Sequence, residues 1–151
     1  MEKEKVIECL NDLLTKAYDA EQGFKQAAQC AEGHPRLKSF LNQQSALRLS
    51  FVHDIKQAIS RHGGEPDKGS SVVAKVHQVW ITVRDALTPG DDAEAILSEC
   101  VRGEKAALEE YDEKLKCSEL PADVRTLVSD HRAKIAQALS EVRAEERLAV
   151  Q

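Results

Sequence analysis

The stretch VRGEKAALEEY, Val101 to Tyr111, decides how the chain is read. Leu97, Cys100 or Val101, Glu104, Ala107 or Leu108, Tyr111 and Leu115 follow one another at steps of three and four, the spacing of a buried helical stripe. Glu104 stands where that stripe demands an apolar residue. The stretch TKAYDAEQGF, Thr15 to Phe24, repeats the pattern: Val6, Leu10, Leu14, Ala17, Glu21, Phe24 and Ala28 form a second stripe with one carboxylate inside. Two helices that each carry an acidic residue on an otherwise apolar face are expected to pack around a polar interior.

Working outward, five helical segments can be marked. Helix A spans about Glu4 to Ala31 and ends at Gly33, a residue that tolerates the left-handed backbone of a helix terminus. Pro35 suits the first turn of helix B, where its missing N–H has no intrahelical partner to lose. Helix B carries the stripe Phe40, Gln44, Leu47, Phe51, Ile55 and Ala58 to about His62, and GGEPDKG, Gly63 to Gly69, breaks it. Ser70 or Ser71 caps a shorter helix X with the face Val73, Val76, Trp80, Val83 and Leu87. Asp91 with Glu94 gives a capping-box-like start to helix C, which runs to about Cys117. Pro121 then opens helix D on Val124, Val128, His131, Ile135, Ala138 and Val142.

No segment shows sustained period-two alternation, so the expected class is all-α. The links between A and B and between C and D are short, which makes each pair an antiparallel hairpin. Helix X, roughly 27 Å long for eighteen residues, returns the chain along the bundle between B and C. The expected architecture is a ferritin-like four-helix bundle with an extra helix in the long crossover between the second and third bundle helices. A length of 151 residues fits one such domain over the whole chain.

Charge and composition narrow the partners. Aromatic residues make up 4% of the chain and charged residues 31%, with a formal net charge of -5. No basic stripe with interleaved aromatics is present, so nucleic acid is disfavoured. No apolar run approaches a membrane span, and the amphipathic start MEKEKVIECLNDLL lacks the apolar core of a signal peptide, so membrane is disfavoured and the cytoplasm is expected. Cys9, Cys30, Cys100 and Cys117 form no C-x-x-C pair and are read as reduced thiols. Apolar residues of a flank left uncovered by helix X would favour a homo-oligomer or a protein partner.

The hairpins also set depth. Glu21 lies twelve residues before Gly33 and Gln44 eleven after it; Glu104 lies fifteen before Glu119 and His131 twelve after. Glu21, Gln44, Glu104 and His131 are therefore expected at similar heights, pointing inward, and each is costly to bury alone. A carboxylate-bridged pair of iron or manganese ions would use a lone Glu from two helices and Glu-x-x-His from the other two. Glu21, Glu104 and His131 are the candidate metal ligands. Helix B, however, offers Gln44-x-x-Leu47, and helix D offers Val128-x-x-His131 or His131-x-x-Lys134, so the ligand set is incomplete. The competing expectation is a structural polar layer in which the two glutamates bond to Gln44, Arg48, Tyr18, Tyr111 or His131. His53, His62 and His77 lack an acidic or cysteine partner at ligand spacing and are read as surface or boundary residues, His34 beside Pro35 as a loop residue, and Trp80 as a core anchor. No phosphate-binding glycine loop or nucleophile elbow is present.

In order along the chain stand LNDLL (Leu10 to Leu14), AEQGF (Ala20 to Phe24), GGEP (Gly63 to Pro66), Gly69-Ser70 followed by His77-x-x-Trp80, AIL-x-E-x-x-RGE (Ala95 to Glu104) and Tyr111-x-x-x-Leu115. Together they resemble a family of short bacterial ferritin-like proteins of unknown function. The resemblance implies a cytoplasmic ferritin-like bundle whose family glutamates are Glu21 and Glu104. It also implies a histidine further along the last helix than His131, where this chain has Gln137, Ala138 and Leu139. The function expected is a non-catalytic or vestigially metal-binding bundle acting in stress or storage physiology through protein contacts. The alternative is a di-iron or manganese oxidoreductase or iron-handling protein using Glu21 and Glu104.

Overall fold

A computed structural model describes residues 1–67 and 87–149. Among them, four α-helices account for the regular structure: α1 (Lys3–Cys30), α2 (Pro35–Arg61), α3 (Ala93–Leu115) and α4 (Ala122–Ala149). The helix expected over Val73, Val76, Trp80 and Val83 lies outside the described residues; Leu87, at its end, is buried in the core.

Cross-links between helices fix the topology. Lys114 near the end of α3 pairs with Asp12 near the start of α1 at 2.6 Å, so those two helices run antiparallel. Gln44 bonds Glu141, His131 bonds Asp54 and His62 bonds Asp123, so α2 and α4 also run antiparallel. With α1–α2 and α3–α4 as hairpins, α2 and α3 must be parallel. A parallel pair needs a connection as long as the bundle, and the sequence places residues 62–92 between these two helices. Glu21 and Gln44 do lie at one height, since the Ser45 hydroxyl donates to the Glu21 carbonyl at 3.1 Å.

The helix ends correct two expectations. Gly33 has no positive φ; α1 ends through Ala31, at φ -92°, and the His34 N–H donating to the Ala31 carbonyl at 2.9 Å. The left-handed residue is instead Gly63, at φ 75°. Its N–H donates to the Ser60 carbonyl and the Gly64 N–H to the Ile59 carbonyl, both at 3.0 Å, which satisfies the last carbonyls of α2 in a Schellman arrangement. Asp92, rather than Asp91, caps α3 by accepting from the Ala95 N–H at 2.8 Å. Asp91 is engaged one turn earlier, accepting from the backbone N–H and hydroxyl of Thr88.

The interior is apolar at both ends. One cluster contains Leu10, Leu14, Phe51, Ile55 and Val128, and the other contains Phe24, Ala27, Leu41, Ile96 and Val142. Between them, Gln44, Arg48, Glu104 and His131 are buried. Cys9, Cys30, Cys100 and Cys117 are free thiols, the first three buried. Among the described residues, no helix is long and apolar enough to cross a membrane.

Candidate functional site

Glu104 reaches the bundle centre because α3 buries Leu97, Cys100, Glu104, Ala107 and Tyr111 along one stripe. Gln44, Phe51, Ile55 and Ala58 of the expected α2 stripe are buried, Phe40 and Leu47 are half-buried, and the buried face widens to take in Leu41, Arg48 and Val52. Arg48 lies on that wider face and reaches inward. Its guanidinium Nη2 donates to Glu104 Oε1, and the two side chains are 1% and 0% exposed. The rings of Phe24 and Phe51, one from each apolar cluster, lie 5.4 and 5.3 Å from the guanidinium carbon. Cation–π attraction to both rings thus reinforces the ion pair.

Phe51 carries the polar layer further. The His131 ring stacks on it with centroids 3.9 Å apart and planes 7° from parallel. His131 Nε2 then meets Asp54 Oδ2 at 2.9 Å, and Asp54 is half exposed. Burial pushes the His131 pKa down, while the bond to Asp54 holds it partly up. A neutral ring that donates from Nε2 leaves Nδ1 as an acceptor, and Nδ1 has no hydrogen bond. At Glu104, burial pushes the carboxyl pKa up and Arg48 pulls it part of the way back.

The remaining residues of the expected layer divide. Tyr111 is buried and borders Arg48. Gln44 is buried but turned to α4, donating to Glu141 Oε2 at 3.4 Å. Tyr18 is half-buried, with Lys56 Nζ 5.4 Å from its ring centre. Glu21 is not in the interior: Ala20 and Phe24 are buried, while Glu21 is half-buried at the rim. Asp19, which the sequence reading passed over, is buried on α1 instead. A helix packed against two neighbours buries a broad face, and a single stripe through it can be drawn one residue off.

The fold suggests testing the centre against a metal pair. Among the described residues, no three His, Cys, Asp or Glu side chains converge where an ion could be held. Glu104 is committed to Arg48, His131 to Asp54, and Glu21 is only half-buried. The cavity beside Arg48, Phe51 and Tyr111 measures about 10 Å³, room for roughly one water molecule. A guanidinium carries fixed positive charge that repels a second cation. The described residues do not fit a dinuclear centre.

A family model described as "Domain of unknown function (DUF2383)" matches residues 5–117. The chain belongs to the DUF2383 family. This DUF2383 chain is also similar in structure to a point mutant of Mycobacterium smegmatis Dps1, with TM-score 0.82, 16% identity, and 95% of this chain and 96% of that one covered. A C-terminal deletion mutant of Mycobacterium smegmatis Dps gives TM-score 0.82 at 15% identity, covering 95% and 99%. A tetragonal form of the same organism's Dps gives 0.78 at 16%, covering 94% and 86%. At these identities the likeness shows the fold, a ferritin-like four-helix bundle. No curated protein matches the chain.

Proposed function

We propose that this DUF2383 protein is a non-catalytic ferritin-like bundle, a single domain that acts in the bacterial cytoplasm through contacts with itself or another protein in stress or storage physiology. The observation that carries this reading is the Arg48–Glu104 pair: the carboxylate at the bundle centre serves a structural partner within the chain. The likeness to Dps structures is one of fold and supports the bundle that this reading requires.

A second reading has one observation in its favour. Glu104 Oε2 makes no hydrogen bond, so a lone oxygen remains for a weakly held ion, with Glu21 and His131 as the other candidate ligands after rearrangement. The test is metal content by mass spectrometry after loading with ferrous iron, together with peroxide-dependent iron oxidation. Protein that neither retains iron nor oxidises it supports the non-catalytic bundle. Turnover that disappears in Glu104→Gln while the helical signal is kept would establish the iron-handling reading instead. Light scattering separates self-association from a monomer that needs another partner.

A further inference from the structure

Burial favours the neutral form of a carboxyl and a cation beside it favours the ionised one, and the chemistry of the walls determines which cation is accepted. Here one carboxylate oxygen of Glu104 faces the guanidinium, and two phenyl rings stand at 5.3 and 5.4 Å from its central carbon. Aromatic faces attract flat, weakly hydrated cations that shed water cheaply. A small divalent ion holds its water tightly and requires several oxygen or nitrogen donors. Phe24 and Phe51 offer none.

We propose that the centre of the bundle is a built guanidinium site, formed by Glu104, Phe24 and Phe51 and permanently occupied by the chain's own Arg48, so that a tethered organic cation stands where a metal ion would otherwise offset the buried carboxylate. This deepens the reading of a non-catalytic bundle and rests on it. The site belongs to the class that selects planar amidinium-type cations over hydrated metal ions. Arg48 contributes from α2, Phe24 from α1 and Glu104 from α3, so the occupant ties together three helices, and Phe51 in turn stacks on His131 of α4.

The experiment removes the tether and offers the head group separately. Full-length Arg48→Ala is unfolded by heat with guanidinium chloride at low millimolar concentration, with manganese chloride, and with sodium chloride at matched ionic strength. The expected result is a lowered Tm that rises by a few degrees with guanidinium only, an effect absent from the parent protein and lost in Arg48→Ala combined with Glu104→Gln. A rise with manganese and none with guanidinium would overturn the proposal, as would no rise with either. Should Arg48→Ala fail to fold, Arg48→Lys decides: it keeps the charge but lacks the flat head, so a Tm clearly below the parent is expected. A parent-like Tm in Arg48→Lys would show that any cation suffices. Iron oxidation by the parent protein would defeat the non-catalytic reading on its own, whereas manganese rescue confined to Arg48→Ala would defeat the guanidinium site alone.

Discussion

Arg48 of α2 and Glu104 of α3 meet across the diagonal of the bundle, linking two helices that otherwise pack on α1 and α4. The pair lies between the two apolar clusters, with a phenylalanine from each cluster against the guanidinium. A diagonal tie has a different consequence from a tie between neighbours. Adjacent helices can slide while keeping an apolar seam, but a charge pair across the centre is satisfied at one register. Whether the pair adds net stability is a separate matter, since both ions are stripped of water.

Single and double substitutions separate those two roles. Arg48→Ala is expected to lower unfolding free energy by about 3–5 kcal/mol, because it leaves Glu104 buried without its cation. Replacing both residues, as Arg48→Met with Glu104→Leu, is expected to restore the parent value or exceed it by about 1–4 kcal/mol. Urea denaturation of the parent, Arg48→Met, Glu104→Leu and the double variant closes the cycle. Additive losses in the double variant would contradict the direct pairing of these side chains.

The His131 ring supplies a pH signature. Burial lowers its pKa and Asp54 partly offsets that, so its nuclear magnetic resonance titration should have a midpoint below 6.5. Asp54→Asn removes the offset and should move the midpoint lower still. Because the folded value lies below the unfolded one, the stability tied to the neutral ring is present above about pH 6.5 and is lost as pH falls through the folded value. A midpoint that rises in Asp54→Asn would show that the carboxylate does not act on Nε2.

These groups show what the chain made legible. The stripe through Glu104 and the turn signals around Pro35, Gly63 and Pro121 are local, periodic features, and the bundle follows from them. Buried Gln44, Glu104 and His131 were found because each interrupts an apolar stripe. Arg48 was named only as one of several partners because it lies a residue away from the stripe drawn through Leu47. Glu21 was placed inward because Ala17 and Phe24 flank it at helical spacing, yet the broad buried face of α1 passes through Ala20. The stacking of His131 on Phe51 and its bond to Asp54 depend on how α2 and α4 rotate against each other, which no one-helix pattern contains.

Glu110, half-buried on α3 nearly two turns beyond Glu104, should act in the opposite sense from His131. Burial pushes its pKa up to about 7, with Lys16 and Lys114 lowering it and Asp12 and Glu109 raising it. A carboxyl with a raised folded value contributes stability that is fully present below the ordinary value of 4.5 and lost as pH rises through about 7. Glu110→Gln is neutral at every pH. Its Tm relative to the parent should therefore climb between those two limits, and the difference cancels the His131 contribution common to both proteins. A flat difference curve would place the Glu110 pKa near that of an exposed carboxyl.

The GGEP stretch yields a sharper test than its role as a helix breaker suggests. A methyl at Gly64 would collide with the Ile7 side chain, reaching Cγ1 at 2.7 Å and Cγ2 at 2.9 Å as well as the terminal Cδ1. Cγ2 branches directly from Cβ, so rotating the tip of the side chain cannot clear the space, and α1 must shift against the turn that follows α2. Gly64→Ala is therefore expected to cost about 1–3 kcal/mol, the range of overpacked sites. Gly33→Ala provides the control: it has no atom within 4 Å of the added carbon and no positive φ, so it should be neutral or gain up to about 1 kcal/mol through the unfolded chain. Ile7→Ala in the Gly64→Ala background should recover part of the loss, although it costs stability alone. Urea unfolding of the set gives that coupling, and strict additivity would mean that Gly64 and Ile7 do not press on each other in the folded bundle.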